Sequence, residues 1–169
     1  MLEHIGAGPE ELYDDLTRGN VSAWQQFALS WPDQDSGAHY FILDPTKPAG
    51  QRATLSATGA YLRQYFRALR PGARRIGADS SEAFVRPIAA RNADGRLAVV
   101  ALAERAARLT ITGLAAGTYL TSCWTDRARW DRDTDPCAGT VDVDDRGAAA
   151  VDLPDAGVFS LTRQPHAAP

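Results

Sequence analysis

Leu62 to Ala78, LRQYFRALRPGARRIGA, is where the pattern of this chain changes. Reading backwards from Pro71, the apolar residues Leu69, Phe66, Tyr65, Leu62 and Leu55 recur at helical spacings, with Arg63, Arg67 and Arg70 between them. That pattern predicts a helix with one buried stripe and one basic, solvated face. Pro71 lacks an amide hydrogen and disfavours helix at Arg70, and Gly72 supplies the positive φ that turns the chain. Before this joint the sequence reads as α/β. After it, the sequence reads as all-β.

Working outward to the C-terminus, turn signals recur every eight to twelve residues, the rhythm of a sandwich of short antiparallel strands. Strands are expected near 73–78, 83–91, 96–103, 108–112, 117–125, 139–144, 147–153 and 157–163. Asn92-Ala93-Asp94-Gly95 and Asp144-Asp145-Arg146-Gly147 are hairpin turns by composition. Alternation sets Leu109 with Ile111, Val141 with Val143 and Val151 with Leu153 on inward faces. Residues 164–169 are polar and proline-containing, and are expected to be a disordered tail.

Working back to the N-terminus, PEELYDDLTR (9–18) opens on proline and acids and ends at Arg18-Gly19, which predicts a short helix. Asn20 to Trp31, NVSAWQQFALSW, does not alternate, and reads as a strand covered on both faces, as in a parallel sheet. A loop from Pro32 to Gly50 and a helix from about Ser56 to Leu69 follow. The expected organisation is therefore mostly β, in three parts. Residues 1–70 are the end of an α/β unit with one strand and two helices, 71–163 are an antiparallel β-sandwich of about eight strands, and 164–169 are the tail.

Composition narrows the partners. The chain has 169 residues, a net charge of -3 and 44% hydrophobic residues, enough to build a core and no basis for disorder or a membrane span. Its basic residues, seventeen arginines and Lys47, are interleaved with aspartates. That argues against a nucleic-acid backbone as partner. Cys123 and Cys137 flank a short loop, and either close it as a disulfide in an oxidising compartment or pack as buried thiols. Met1 to Gly8 has neither the basic start nor the apolar run of a secretion signal, so such a signal would lie upstream.

With these elements placed, the sequence resembles the C-terminal region of glycoside hydrolase family 30. Gly19-Asn20-Val21-Ser22-Ala23-Trp24-Gln25 resembles the family's VSAWxWWQ strand, and Tyr65-Phe66-Arg67-Ala68-Leu69-Arg70-Pro71-Gly72-Ala73-Arg74-Arg75-Ile76-Gly77-Ala78 resembles its FSxFIRPG helix end and AVRIGA strand. ARNADGRLAVV (90–100) is similar to its KNPDGTxVVV hairpin, and LTITGLAAGTY (109–119) to its xLxGLPAGTY strand pair. The resemblance runs from about Gly8 to Thr162 and departs at Gln26-Phe27, where the family has tryptophans. It implies a (β/α)8 barrel, clan A, fused to a side sandwich, and hydrolysis of β-glycosidic bonds with retention. Val21 to Leu29 would be the eighth barrel strand, Ser56 to Leu69 the eighth helix and Ala73 to Arg163 the sandwich.

Retaining hydrolysis needs two carboxyl groups about 5 Å apart. The resemblance puts them at the ends of the fourth and seventh barrel strands, so the catalytic pair is expected to lie outside this chain. Glu3-His4 echoes the family's TEH, but stands so near Val21 that the intervening helix has no room. It reads as a solvated terminus.

The remaining candidates concern sugars and ions. Trp24 and Trp31 lie on and just past the strand whose end would face a barrel site, where they either floor a sugar ring or pack in the core. Trp124 and Trp130 sit in WTDRARWDRDTDP (124–136), where they either grip polysaccharide or plug the sandwich end. Asp131, Asp133 and Asp135 have the alternate spacing of a calcium loop, but Pro136 stands where glycine is needed and Asp142 replaces the glutamate. Pairing with Arg127, Arg129 and Arg132 is the competing role. His4, His39 and His166 have no evident partners, and Asp79-Ser80-Ser81 lacks the glycines of a nucleophile elbow. No cofactor is implied. The expected protein is the secreted C-terminal part of a glycosidase-like enzyme, without its catalytic carboxylates, pairing with an upstream segment or another chain. The alternatives are a free-standing carbohydrate-binding sandwich and a purely structural interaction module.

Overall fold

A computed structural model describes residues 2–32, 39–126 and 135–165. Among them the elements are β1 (Leu2–Ile5), α1 (Pro9–Thr17), β2 (Trp24–Phe27), β3 (Ser30–Pro32), β4 (Phe41–Leu43), β5 (Ala53–Leu55), α2 (Ala57–Ala68), β6 (Arg74–Ile76), β7 (Val85–Arg91), β8 (Leu97–Ala103), β9 (Ala107–Thr112), β10 (Gly117–Thr125), β11 (Gly139–Val143), β12 (Ala148–Leu153) and β13 (Gly157–Arg163). The chain is mostly β and divides into two compact units, residues 1–63 and 64–169, with the division inside α2.

In the first unit β1 and β2 are parallel, with Glu3 opposite Gln25 and His4 opposite Gln26. Parallel neighbours need a crossover, and α1 supplies it. Pro9 occupies the first helical turn, and the Gly8 amide donates to Glu11 Oε2 at 2.8 Å, closing that turn. This overturns two expectations. The stretch before Val21 does have room for a helix, and Glu3-His4 belongs to a paired strand. The expected single strand over 21–29 is also divided: β2 pairs with β1, whereas β3 joins a separate sheet in which β4 is parallel to β3 and antiparallel to β5. Nor is β2 covered on both faces, because Gln26 is buried while Gln25 and Phe27 are exposed.

α2 starts at Ala57, one residue after the expected start, with Ser56 as its N-cap. The buried Ser56 hydroxyl accepts the Gly59 amide at 2.9 Å and donates to the His39 carbonyl at 2.6 Å, an N-cap that also ties the helix to the chain before β4. Its buried stripe differs by one place from the expected one. Leu62, Gln64, Tyr65 and Ala68 are inside, and Phe66 is exposed.

The second unit contains all eight expected strands, displaced at their ends by at most two residues. Six form an antiparallel sheet in the order β11-β10-β13-β8-β7-β6, and β12 pairs with β9 in a separate antiparallel ribbon. Odd-numbered residues of the large sheet, among them Val99, Tyr119, Cys123, Phe159 and Leu161, join Ala149 and Leu153 of β12 in one core. β8 is buried along its whole length.

The joint is held by the hairpin that the sequence marks only as a turn. Asn92, buried, donates from Nδ2 to the Ala68 carbonyl at 2.9 Å and accepts the Arg70 amide on Oδ1 at 3.0 Å. It thereby satisfies a carbonyl and an amide that the end of α2 leaves open. Gly72 then takes φ +80° and the chain enters β6.

Candidate functional site

Two side-chain constellations stand out, one in each unit. In the first, the crossover brings three residues together. Asp15 Oδ2, on α1, accepts His4 Nε2 at 2.7 Å and Trp24 Nε1 at 2.9 Å, and the His4 ring stacks on the Trp24 indole at 5.5 Å between centroids. Pattern reading assigns no partner to His4. The structure gives it two, because β1 and β2 present the same face to α1. Trp24 points to that helix face, and the opposite face of the pair carries Ile5 and Phe27, 80% and 54% exposed.

In the second unit the cysteines are joined as a disulfide, Cys123 to Cys137, with a sequence separation of 14. Asp135 organises the base of the closed loop. Its Oδ1 accepts the amides of Cys123 and Cys137 at 2.9 and 3.1 Å, and its Oδ2 accepts the Ser122 hydroxyl at 2.5 Å. Gln64 Oε1 accepts the Ser160 hydroxyl at 3.0 Å and lies 2.9 Å from the Ser122 oxygen, whose single proton goes to Asp135 in the shorter contact, and these contacts fix the end of α2 on β10 and β13. Cys123, Asp135 and Cys137 lie close enough to hold an ion, but sulfurs bonded to each other are not thiolate ligands.

The expected sugar contacts fall as follows. Trp124 is the penultimate residue of β10 and is 4% exposed, so it is part of the sheet and not of an exposed loop. Val158 faces it across the strand pair, and next to that Gly157 pairs with Thr125, where a Cβ would collide with the Trp124 carbonyl. Trp31 lies on β3 opposite Ile42 in the backbone register. Trp130, Asp131, Asp133, Arg127, Arg129, Arg132 and His166 lie outside the described residues. Asp142 accepts the Thr118 hydroxyl at 2.6 Å on the neighbouring strand. His39 is buried, and Tyr40 accepts the Gln26 amide on its hydroxyl at 3.2 Å. Burial raises the Tyr40 phenol above its ordinary value, and the Gln26 bond pulls the other way.

This succession of a parallel strand pair with a helical crossover, a capped helix and an antiparallel sheet sharing a core with a ribbon is similar in fold to part of clan A glycoside hydrolases of the family 30 type. The catalytic domain of a family 30 xylanase C from Talaromyces cellulolyticus superposes with a TM-score of 0.73 at 17% identity, over 92% of this chain and 34% of that one. An endo-β-1,6-glucanase aligns at TM-score 0.50 and 14% identity, over 84% of this chain and 26% of its own. A family 51 arabinofuranosidase from Xanthomonas axonopodis pv. citri aligns at 0.50 and 12%, over 89% and 33%. The chain thus spans about a third or less of the structures it matches. No protein-family model and no curated protein matches its sequence.

Proposed function

We propose that this chain is the C-terminal part of a secreted glycosidase-like protein: two strands and two helices of a (β/α)8 barrel followed by a side β-sandwich. By itself it is a structural and carbohydrate-contacting module and not a complete enzyme. The observation that carries this reading is the β1-α1-β2 unit. Its inner face leaves Ile5 and Phe27 uncovered, beside an exposed Leu29, and the rest of the chain follows the xylanase domain over a third of that domain's length.

On this reading the parallel pair β1-β2 supports a different place in the barrel from that of a single strand. β1 takes the position of the seventh strand and β2 that of the eighth, so Glu3, opposite Gln25, stands on the strand to which the family resemblance assigns a catalytic carboxylate. Retention needs a second carboxyl about 5 Å away, which in such enzymes comes from the fourth strand. The disulfide accords with an oxidising compartment, and no helix among the described residues is long and apolar enough to cross a membrane.

The test is activity and binding of the purified chain. On xylan, β-1,6-glucan and arabinan it should release no reducing sugar; turnover lost in Glu3→Gln would instead make it an enzyme in its own right. In pelleting assays with insoluble polysaccharide it should be retained, and Trp130→Ala should weaken retention. Equal retention of the two, or none, removes the carbohydrate role of that loop. The second reading, a free-standing carbohydrate-binding sandwich, draws support from the self-contained core of residues 64–169.

A further inference from the structure

One transverse row of the large sheet is unusually basic. The register aligns Arg74 of β6 with Arg91 of β7, Arg91 with Leu97 of β8, and Arg163 of β13 with Tyr119 of β10. All face the side on which Leu97 and Tyr119 enter the core. Like charges directly opposite each other on a sheet are unfavourable, and Arg74 and Arg91 are such a pair. No carboxylate among the described residues pairs with Arg74, Arg91 or Arg163. Arg91 donates instead to the Gly95 carbonyl at 3.1 Å, and Arg163 to the Ala116 carbonyl at 2.5 Å.

These carbonyl bonds hold the guanidiniums in place without neutralising them. Beside them lies an open hollow of about 430 Å³ lined by Asp94, Gly95, Arg96, Arg163, Gln164 and Pro165. Within it Arg96 is already neutralised by Asp94, at 2.7 Å from Nε and 2.6 Å from the terminal nitrogen. Arg163 contributes the uncompensated charge of the wall. Tyr119 places a phenol at the same end: its hydroxyl donates to the Ala115 carbonyl at 2.9 Å. Burial raises that phenol above its ordinary value, against the opposing pull of Arg163, the Ala115 bond and Arg91.

We propose that this hollow binds the anionic substituent of an acidic glycan, a uronate carboxylate or a sulfate ester, with Arg163 and Arg91 as its charge partners. The inference rests on the carbohydrate-contacting reading and narrows its ligand class. A planar guanidinium suits a carboxylate or sulfate better than a neutral sugar hydroxyl. The volume is that of a small-ligand site.

The test is titration of the full chain, followed by amide NMR, with four probes: a glucuronate-bearing xylo-oligosaccharide, its neutral counterpart, a sulfated oligosaccharide and inorganic sulfate. An acidic oligosaccharide should shift the amides of Gly95, Ala116 and Tyr119, and Arg163→Gln should weaken it about tenfold or more, the worth of one charge-assisted hydrogen bond. Arg91→Gln should weaken it less, and Arg163→Lys should recover part of the loss. Whichever acidic oligosaccharide binds more tightly, carboxylated or sulfated, identifies the anion. Neutral and acidic probes binding alike, indifferent to Arg163→Gln, would overturn this inference while leaving the carbohydrate role intact. Absence of any shift at these amides, or inorganic sulfate binding as tightly as the sugars, would also overturn it.

Discussion

The second unit has a core of its own, and the described residues of the first do not complete one. Strands β7, β8, β10 and β13 run for seven to nine residues and leave Val100, Tyr119, Phe159 and Leu161 essentially inaccessible. Strands β1 to β5 run for three or four residues, in two small sheets that leave Ile5, Phe27 and Leu29 at 80%, 54% and 69% exposure. A large apolar side chain contributes about 1.5–3 kcal/mol when it is fully removed from water. The first unit leaves that contribution uncollected on one face, whereas the second collects it on nearly every inward position. What separates them is the number of strands available to close a layer, since both have ordinary apolar content.

The sharpest way to break the comparison is to open the core of the second unit. Phe159→Ala should cost about 3–5 kcal/mol, the range for a fully buried aromatic. Denaturant unfolding, with hydrogen exchange resolved at β8 and β13, measures it. A loss below about 1 kcal/mol would mean that the core is loosely packed and that the two units are alike. Next in size is the disulfide. Replacing Cys123 and Cys137 by serine should cost about 3 kcal/mol, from the entropy regained by a loop of this length in the unfolded chain. The exchange protection lost should centre on β10 and β11. Protection lost equally at β1 and β2 would show that the two units unfold as one.

Much of this second unit is legible in the sequence, because its signals are local. Asn92 to Gly95 and Asp144 to Gly147 announce turns by residue type, and alternation in β9, β11 and β12 fixes their inward faces. The first unit is harder to read because its strands are too short to show a period and pair with partners that only the fold supplies. β1 is four residues at the start of the chain, and it becomes recognisable only when α1 carries β2 back alongside it. Periodicity also cannot say which polar residue will find a partner. Gln64 is buried because Ser122 and Ser160 meet it, and Phe66, the next residue round the helix from Tyr65, stays outside. The candidate sites divide in the same way. The cysteine spacing leaves a disulfide and two buried thiols open and the structure joins them, the Asp15 cluster and the Arg91–Arg163 row are products of register, and Trp124 looks like a loop residue only until β10 is seen to extend through it.

A third substitution probes the first unit where it is best organised. Asp15→Ala removes the acceptor shared by His4 and Trp24 and leaves both N–H groups, part-buried, without it. Leaving such groups unpaired costs about 1–3 kcal/mol. The loss should appear as faster exchange in α1, β1 and β2, together with a change in Trp24 fluorescence, while β8 and β13 keep their protection. Asp15→Asn should recover part of it, since the amide oxygen can still accept one hydrogen bond. Unchanged exchange in α1 would mean that the cluster is incidental and that helix propensity alone holds the crossover.

The smallest expected effect is the most telling about the proposed barrel placement. Phe27→Gln exchanges an exposed phenyl ring for a polar side chain of similar reach, and exposed substitutions away from caps and networks usually fall within about 0.5 kcal/mol. The folded chain should therefore be no less stable, and self-association or binding of a hydrophobic dye should fall, because the apolar face of Ile5, Phe27 and Leu29 has lost its middle member. If instead Phe27→Gln costs more than about 1.5 kcal/mol at concentrations where the chain is monomeric, that face is covered by the chain's own residues. In that case the first unit is a finished structure and has no place left for further barrel strands.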